Sequence, residues 1–265
     1  MRITTYNVRY DTPQDGDWRW AQRRAAVLAN LTHLAPDIFT IEEALPHQYA
    51  DLNALAGYAH CGAPREDGFS TGEATAIYYR AGAFDLLDEG HRWVTTTPLV
   101  PSTYPGTGNK RVFQWAHLRR VADDQELVVV ANHLDDWIAD ARVLGVQQVT
   151  AFLAPYLAAA VPVIWCGDFN MQPGDVAYQA VPSALRDAAL HAATIVDPFG
   201  GTWPDQADFA PVTTQDVQRL DFFFVNAAVQ VDAYAVETTA TADGRYASDH
   251  FPVTLDVRLE AHHDD

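Results

Sequence analysis

The chain has few basic residues and almost no lysine. Of its 265 residues, 17 are lysine or arginine and 35 are aspartate or glutamate, which gives a formal net charge of -18. Lys110 is the single lysine. Because proteins that hold long nucleic acids usually carry a basic face, this balance argues against tight, processive binding to long duplexes. Halophile adaptation also gives an acidic, lysine-poor surface, but charged residues are only 20% of this chain, below the usual quarter.

Cysteines, long apolar runs and targeting signals are also scarce. The two cysteines, Cys61 and Cys166, are too few for a disulfide framework, and no zinc-finger spacing surrounds them, so we expect two free thiols. No apolar run approaches the roughly 20 residues of a membrane span. Residues 1–9 lack the charged and apolar regions of a secretory signal, which predicts a cytoplasmic protein. Nothing in the sequence points to an obligate protein partner.

Segments typical of strands and helices alternate along the chain. Segments 18–34 and 138–157 carry apolar residues at helical spacing, and segment 161–166 is an apolar run typical of a strand buried on both faces. No repeat, linker or change of composition divides residues 1–259, so we expect one catalytic domain followed by a short polar tail at 260–265. The many strands predict an α/β (α+β) fold in which two β-sheets pack face to face with helices outside.

Five short polar motifs, most of them after strand-like runs, stand where strands leave the core. They are Tyr6-Asn7-Val8, Ile41-Glu42-Glu43, Asn132-His133-Leu134-Asp135, Gly167-Asp168-Phe169-Asn170 and Ser248-Asp249-His250-Phe251-Pro252-Val253. Chain ends of this kind can converge on one site. Oxygen ligands and two histidines, without a serine or cysteine nucleophile motif, indicate a hard cation, Mg²⁺ or Mn²⁺, and water as the attacking group.

These motifs differ in how strongly each indicates a site. Taken alone, Asn7 and Glu43 are more often ordinary structural residues than ligands. Asp168 and Asn170 are a stronger signal, because residues i and i+2 leave a buried strand on the same side. Such groups are costly to bury without partners, so a metal or a substrate is their natural partner. The Ser-Asp-His-Phe-Pro-Val motif is stronger still, since its proline fixes the turn beside an aspartate–histidine pair.

The order of the motifs resembles that of the endonuclease/exonuclease/phosphatase superfamily, and looks closest to its small bacterial metal-dependent hydrolases. The resemblance covers nearly the whole chain, from Tyr6 to His250. It implies a four-layer α-β-β-α sandwich and metal-dependent cleavage of phosphoester bonds. Further likenesses are Arg9-Tyr10-Asp11, Ala44-Leu45-Pro46-His47-Gln48, Ile77-Tyr78-Tyr79-Arg80, Arg219-Leu220-Asp221-Phe222 and Tyr246-Ala247-Ser248.

The resemblance also implies which residues hold the metal and the attacking water. Glu43 matches the main metal-binding glutamate of the family, and Asn7 and Asp249 complete the shell. Asp168 and Asn170 match the pair that orients the water and contacts the phosphate, and Asp168 is also counted among the expected metal ligands. The expected cofactor is therefore Mg²⁺, or Mn²⁺ in its place.

Two histidines and their partners complete the implied machinery. His250 matches the histidine that activates water or stabilises the transition state, held by Asp221. His133 matches a second histidine, which faces the phosphate and protonates the leaving oxygen, and Glu73 matches the acid that pairs with it in some members. Independently of the family, Arg111 follows a long loop and is either a phosphate clamp or part of a surface salt bridge.

Two positions depart from the pattern of related sequences. The glutamine that usually precedes the metal-binding glutamate is Glu42 here, an extra acid that either tightens the metal or points away from it. Around His133, related sequences often read Asn-Thr-His-Leu-Asp-His, whereas this chain ends the motif with Asp136. The histidine and the aspartate after the leucine, Asp135, are retained.

Other side chains are candidates for the walls of the site. Few cations are available nearby, which suits one or two phosphates better than the roughly six to ten contacts of a salt-sensitive DNA binder. The candidate cations are Arg9, Arg65, Lys110, Arg111, Arg142 and Arg245. Four tryptophans in loop-like settings either line a cleft or belong to the core, namely Trp18, Trp20, Trp137 and Trp203.

We therefore expect a Mg²⁺-dependent phosphodiesterase or phosphatase that acts on a small or lipid-derived phosphorylated substrate. The alternative is a nuclease for short or damaged nucleic acid, because an acidic protein can still cut nucleic acid when the active-site field is local. A binding module that kept the fold but lost the chemistry is a third class. It is opposed by the joint presence of Asn7, Glu43, Asp168, Asn170, Asp249 and His250.

Overall fold

The computed structural model describes residues 1–204, 209–212 and 217–260. Of the predicted polar tail, residues 261–265 lie outside this range. The α-helices in the described ranges are α1 (Trp20–Leu34), α2 (Pro46–Asn53), α3 (Ala139–Ala158) and α4 (Val176–Gln179). The strands there are β1 (Arg2–Asn7), β2 (Ile38–Ala44), β3 (Tyr58–Pro64), β4 (Ala74–Arg80), β5 (Phe84–Trp93), β6 (Val112–Arg120), β7 (Gln125–His133), β8 (Val163–Asp168), β9 (Arg186–Asp187), β10 (Thr194–Val196), β11 (Asp221–Val225), β12 (Val229–Val236) and β13 (Val253–Leu259).

The strands form two sheets of mixed direction. One sheet has seven strands in the order β10-β12-β13-β1-β2-β4-β3, and the other has six in the order β5-β6-β7-β8-β11-β9. Strands β1 and β2 run parallel, as do β7 and β8 and the pair β10 and β12. The other pairs in these two sheets are antiparallel. The predicted α/β class with two mixed sheets is confirmed.

Alternate residues of β7 show how the layers are built. Leu127, Val129 and Ala131 belong to the apolar cluster between the two sheets, whereas Val128 and Val130 belong to the cluster that packs under α3. On the seven-stranded sheet, a third cluster joins the outer face to α1. Because successive strand side chains point to opposite faces, each sheet is covered on both sides. The result is the expected four-layer α-β-β-α sandwich.

Some elements begin elsewhere than the sequence predicts. The helix expected from residue 18 begins at Trp20, because Arg19 is extended, with ψ 168°, after a separate 3-10 helix at Pro13–Trp18. Strand β3 is not predicted from the sequence, since it shows no clear alternation of buried and exposed residues. Its backbone pairing with β4 fixes it at the edge of the sheet instead. The short strands β9 and β10 are likewise not predicted.

Strand register brings the polar motifs to one edge of the sandwich. In the seven-stranded sheet, Asn7 at the end of β1 pairs with Glu42 of β2. In the six-stranded sheet, Asp168 at the end of β8 pairs with His133 of β7 on one side and with Asp221 of β11 on the other. Since parallel neighbours end at the same edge of a sheet, the acids and the histidine come together there without any long loop.

Both cysteines are buried and free, as the sequence analysis predicts. Cys61 lies in β3 and Cys166 in β8, and burial raises the pKa of each thiol well above its ordinary value. Among the helices of the described ranges, none has the length and apolar character needed to cross a membrane.

The glycine before Asp168 is required by the close approach of β7 and β8. Gly167 has φ +128°, and a Cβ atom added there would lie 2.2 Å from the carbonyl oxygen of Asn132. Alanine at this position meets both backbone strain and a collision with the neighbouring strand. We expect Gly167→Ala to lower the free energy of unfolding by about 3 kcal/mol or more, measured by urea denaturation at equilibrium.

Gly174→Ala is the matched control for this substitution. Gly174 also has a positive φ, +98°, but no atom lies within 4 Å of an added Cβ. It therefore reports the cost of backbone strain alone, which we expect to be about 1 kcal/mol. Equal losses of stability in the two variants would contradict the close-approach argument.

Candidate active site

A β-bulge in β2 sends two neighbouring acids in different directions. The pairing of β2 with β4 shifts at this point, and Glu43 has a left-handed φ of +68°. Glu43 lies at the wall of a cavity, whereas Glu42 is fully buried and accepts a hydrogen bond of 3.3 Å from the hydroxyl of Thr40. Burial raises the pKa of Glu42 well above its ordinary value. Glu42 therefore points away from the cavity, which is the second of the two alternatives for this extra acid.

Asn7 joins the two sheets at the site. Its Nδ2 donates to Oε1 of Glu43 at 3.0 Å and to Oδ2 of Asp168 at 3.0 Å. Its Oδ1 accepts from the backbone N–H of Arg9 at 3.0 Å. In this arrangement Asn7 orients two carboxylates through its nitrogen. Its predicted role as a metal ligand, which needs the oxygen, stays a prediction.

Glu43, Asp168 and Asp249 bring three carboxylates to the cavity beside His250. Burial raises the pKa of Asp168 to about 7, although the charge of His250 opposes this. Burial also raises the pKa of Asp249. For Glu43, burial acts in the same direction, but His250, the Asn7 amide and a backbone N–H outweigh it and lower the pKa. Crowded carboxylate oxygens of this kind are a donor set suited to a divalent cation.

The ligand atoms of these residues form two overlapping groups. In the first, atoms of Glu43, His133 and Asp168 all lie within 4.8 Å of one another, and in the second the same holds for Asp168, Asp221 and His250. Asp249 belongs to neither group in the described part of the chain. Its Oδ2 lies 3.3 Å from Nη1 of Arg9. Asp168 therefore belongs to both groups, whereas Glu43 belongs to the first group alone.

His250 is held by a buried aspartate. Its Nδ1 lies 2.8 Å from Oδ2 of Asp221, and its Nε2 lies 3.8 Å from Oδ2 of Asp168. Burial alone would lower the pKa of His250, but Asp221 and Asp168 outweigh burial and raise it well above the ordinary value. The ring therefore carries a proton on the side of Asp221 and turns its other nitrogen towards the cavity, the pairing predicted from the sequence.

His133 has a different electrostatic state. Arg111 donates from Nη1 to Nε2 of His133 at 2.8 Å, and Nδ1 lies 4.0 Å from Oε2 of Glu73. Burial, followed by the charges of Arg111 and Arg65, lowers the pKa of His133 well below its ordinary value. His133 is thus a neutral ring whose cavity-facing nitrogen accepts a hydrogen bond. Protonation of a leaving group by His133 stays a prediction.

Glu73 is nearer to an arginine than to the histidine it was expected to pair with. Its Oε1 accepts from Nη2 of Arg65 at 2.7 Å. Burial raises the pKa of Glu73 to about 7, and the negative charge of Glu43 adds to this rise. Glu73 and His133 do share the site, although the 4.0 Å between them is longer than a hydrogen bond.

Asn170 occupies a sharp turn after β8. It has a left-handed φ of +48°, its backbone N–H donates to Oδ1 of Asp168 at 2.9 Å, and its Nδ2 donates to the carbonyl of Leu134 at 3.0 Å. These bonds fix the side chain at the wall of the cavity. The predicted convergence of Asp168 and Asn170 on one side is therefore present in the structure.

Two of the predicted cations reach the cavity, Arg111 and Arg9. Arg111 is 5% exposed, donates to Asp136 at 2.5 Å, and has an Nε that lacks a hydrogen-bond partner among the described residues. The other candidates do not line it. Arg65 pairs with Glu73, and Lys110 pairs with Glu66. Arg142 bonds the backbone of Asp135, and Arg245 pairs with Asp17 and Asp243.

The cavity holds about 330 Å³ and has walls that the polar motifs do not supply. Of the four tryptophans considered, Trp18 and Trp20 are buried in the core, whereas Trp137 and Trp203 line the cavity. Sequence analysis does not assign the remaining wall residues to the site, although two of them, Asp136 and Leu220, stand in motifs that it quotes. The remaining wall residues are Asp136, Gln218 and Leu220.

The agreement of most of the chain with one family model decides the classification. The model described as "Endonuclease/Exonuclease/phosphatase family" matches residues 4–250, a range that contains every site residue named above. The chain belongs to this family. The predicted resemblance is confirmed, and members of the family are hydrolases that act on phosphoester bonds.

Solved structures of other family proteins superpose on nearly all of this chain. A conserved protein of unknown function from Enterococcus faecalis V583 is 31% identical, with 98% of this chain and 100% of that chain covered and a TM-score of 0.90. A mannosyl-6-phosphatase from Bacteroides thetaiotaomicron VPI-5482 is 28% identical, with the same coverage and TM-score. TDP2 of D. rerio, complexed with a single-strand DNA product, is 20% identical over 98% of this chain and 99% of that chain, with a TM-score of 0.72, and is similar in fold alone. No curated protein matches the chain by sequence.

A metal titration tests whether the negative charge of Glu43 contributes to metal binding. Glu43→Gln keeps the shape of the side chain and removes one negative charge from the donor set. We expect the affinity for Mn²⁺ to fall by about tenfold or more. Substitution of a residue that only hydrogen-bonds to a metal ligand already lowers metal affinity by about 10–100-fold. Titration followed by electron paramagnetic resonance measures this. Glu126→Gln, at the end of β7 opposite His133 and paired with His117, is the control. An unchanged affinity in Glu43→Gln would remove Glu43 from the ligand set.

Proposed function

We propose that this family member hydrolyses a phosphoester bond of a small phosphorylated molecule and depends on Mg²⁺ or Mn²⁺. The position of Asp168 carries the proposal. Its Oδ2 lies 3.5 Å from Nε2 of His133 and 3.8 Å from Nε2 of His250, and it accepts a hydrogen bond from Asn7. A carboxylate, two imidazoles and an amide thus surround one point at the base of the cavity, the chemistry that hydrolysis of a phosphate ester requires.

The residues proposed to hold the cation are Glu43, Asp168 and Asp249. Their oxygens are the hard donors that Mg²⁺ and Mn²⁺ prefer. The pKa values of Asp168 and Asp249 are raised, chiefly by burial, and a bound cation would compensate these two buried carboxylates. When bound, the cation supplies neutralisation of the charge on the phosphate oxygens.

His250 is the proposed partner of the attacking water. Asp221 fixes its Nδ1–H, so Nε2 is the nitrogen that meets water in the cavity. A carboxylate on the far nitrogen fixes the orientation of an imidazole and favours its charged form, which stabilises the negative charge that develops as water attacks. Asp168, beside the same nitrogen, gives the water an acceptor and so sets its orientation.

Arg111 and Arg9 are the proposed contacts of the phosphate. Both line the cavity, and the Nε of each is buried without a hydrogen-bond partner in the described part of the chain. A guanidinium N–H directed at an anion makes a short, charge-assisted hydrogen bond. Asn170 lies on the same wall and adds a neutral polar group next to these two charges.

The size and charge of the cavity favour a small substrate. A volume of about 330 Å³ with two lining cations suits one phosphate group on a small organic body. The B. thetaiotaomicron relative is named as a mannosyl-6-phosphatase, which supports a phosphomonoester of this kind. A lipid-derived headgroup phosphate has the same chemistry. The alternative, a nuclease, uses the same catalytic residues. It also needs more cations to bind the phosphates of a longer nucleic acid, and the net charge of -18 opposes this.

Hydrolysis of model esters tests the proposed function. We expect the wild-type protein to release p-nitrophenol from p-nitrophenyl phosphate or bis-p-nitrophenyl phosphate with Mg²⁺ or Mn²⁺, and to lose this activity with EDTA. Asp168→Ala and His250→Ala should lower kcat by roughly 10²–10⁴-fold, because each removes a group that handles the attacking water. Asp232→Ala, a partner of Arg258 on the surface, is the control. Full activity in either site variant would refute the assignment.

Arg111 gives a second, independent test. The expected result for Arg111→Met is a loss of about 10–100-fold in kcat/KM, together with weaker inhibition by inorganic phosphate, since a hydrogen bond to a charged group contributes about 1.5–3 kcal/mol. Arg186→Met is the matched control, because Arg186 is also partly buried but donates to the backbone carbonyls of Asn226 and Val229. Phosphate inhibition that is identical in Arg111→Met and the wild type would argue against a phosphate contact.

A further inference from the structure

The tryptophans divide into a buried set and a pair at the cavity. The chain has seven tryptophans. Those in the core, each at most 8% exposed, are Trp18, Trp20, Trp93, Trp115 and Trp165. The other two, Trp137 and Trp203, both line the active-site cavity, and Trp137 is 85% exposed. A single exposed aromatic residue is ordinary on a protein surface, so the position of Trp137 matters more than its exposure. An indole that lines a catalytic cavity offers a flat apolar face to the substrate.

The backbone that carries Trp137 is fixed. Oδ1 of Asp135, a side chain that is almost fully buried, accepts from the backbone N–H groups of Trp137 at 3.0 Å and Ile138 at 2.6 Å. The intervening residue, Asp136, is bound to Arg111. The indole therefore projects from a turn just before α3 whose backbone is held by these bonds.

Trp203 is held at the cavity wall beside His250. Its backbone N–H and carbonyl pair with those of Gln218 at 2.8 Å and 2.9 Å. Its ring centroid lies 6.4 Å from that of His250. Trp137 follows β7 and its His133, so the cavity has one indole in the segment after His133 and the other beside His250.

Polar groups of both kinds accompany the two rings. Asp136 lines the cavity with a carboxylate that is 56% exposed and has one oxygen engaged by Arg111. The Oε1 of Gln218 accepts from Gln172 at 2.9 Å, which leaves its amide N–H groups free to donate, as far as the described residues show. An aromatic face, an acceptor and a donor together match a ring that has C–H faces and hydroxyls at its edge. A second phosphate is disfavoured, because Asp136 is negative.

We propose that Trp137 and Trp203 form the walls of a sugar-ring subsite, so that the substrate is a monosaccharide phosphate whose ester reaches Asp168. This rests on the proposed function and names its substrate class. Trp137 covers one face of the ring, while Asp136 and Gln218 bind its hydroxyls. The two arginines bind the single phosphate. Hydrolysis adds water across the ester bond and yields the free sugar and inorganic phosphate.

The test compares three primary phosphomonoesters that differ only in the group carrying the phosphate. Mannose 6-phosphate or glucose 6-phosphate presents a sugar ring, sn-glycerol 3-phosphate presents no ring, and adenosine 5′-monophosphate presents a nucleobase beyond its ribose. Phosphate release with Mg²⁺ gives kcat and KM for each. We expect the wild type to prefer a hexose phosphate. Trp137→Ala should lower the ratio of kcat/KM for hexose phosphate to that for glycerol phosphate by about tenfold, through KM, while Trp137→Phe restores part of it.

Phe69→Ala is the matched control. Phe69 is 87% exposed and does not line the cavity, so removing it deletes an exposed aromatic ring without touching the subsite. The ratio for this variant should equal that of the wild type. Circular dichroism checks that each variant is folded.

The possible results separate the subsite from the proposed function. Metal-dependent hydrolysis with a ratio that Trp137→Ala leaves unchanged keeps the phosphoesterase and overturns the sugar subsite. A preference for adenosine 5′-monophosphate that Trp137→Ala abolishes also overturns it, because the indole then stacks on a base. If the wild type releases no phosphate from any of these esters or the p-nitrophenyl esters, the proposed function fails and the subsite fails with it.

Discussion

The hydrogen bonds of Asn7 are the constraint on which the site depends. One carboxamide holds Glu43 of the seven-stranded sheet and Asp168 of the six-stranded sheet at 3.0 Å each. Two carboxylates so close repel each other, and both leave buried strands, so neither can retreat without moving its sheet. A neutral group with two N–H donors satisfies both acids and adds no charge. A lysine in its place would compete with a cation, and an aspartate would increase the repulsion.

Backbone conformations at the same edge explain how short motifs place so many groups together. Arg9, Glu43 and Asn170 are non-glycine residues with φ values of +58°, +68° and +48°. Such conformations are uncommon and cost free energy, so they persist only where the surroundings enforce them. Here each one turns the chain sharply within two residues of a strand end. The sandwich, buried on both faces of both sheets, is the rigid frame that keeps these turns in place.

What the sequence could and could not predict follows from the range of each interaction. The apolar run of β8 directly before Asp168 reports a buried strand that ends in an acid, so both the element and its site residue were predictable. The bond from Arg111 to His133 was not, because it depends on how two separate segments meet in space. Gln218 carries no motif and reaches the cavity through its pairing with Trp203. Strand β3 forms because its backbone pairs with that of β4, and its own residues carry no pattern that indicates this pairing.

The two buried thiols give the folded protein a chemical property of its own. Thiol reagents and oxidants attack the thiolate, and both Cys61 and Cys166 are buried with a raised pKa. The two native thiols are therefore unreactive towards maleimides and mild oxidants while the chain stays folded. A cysteine introduced on the surface would carry the only reactive thiol of the folded molecule, and the appearance of the two native thiols would report unfolding.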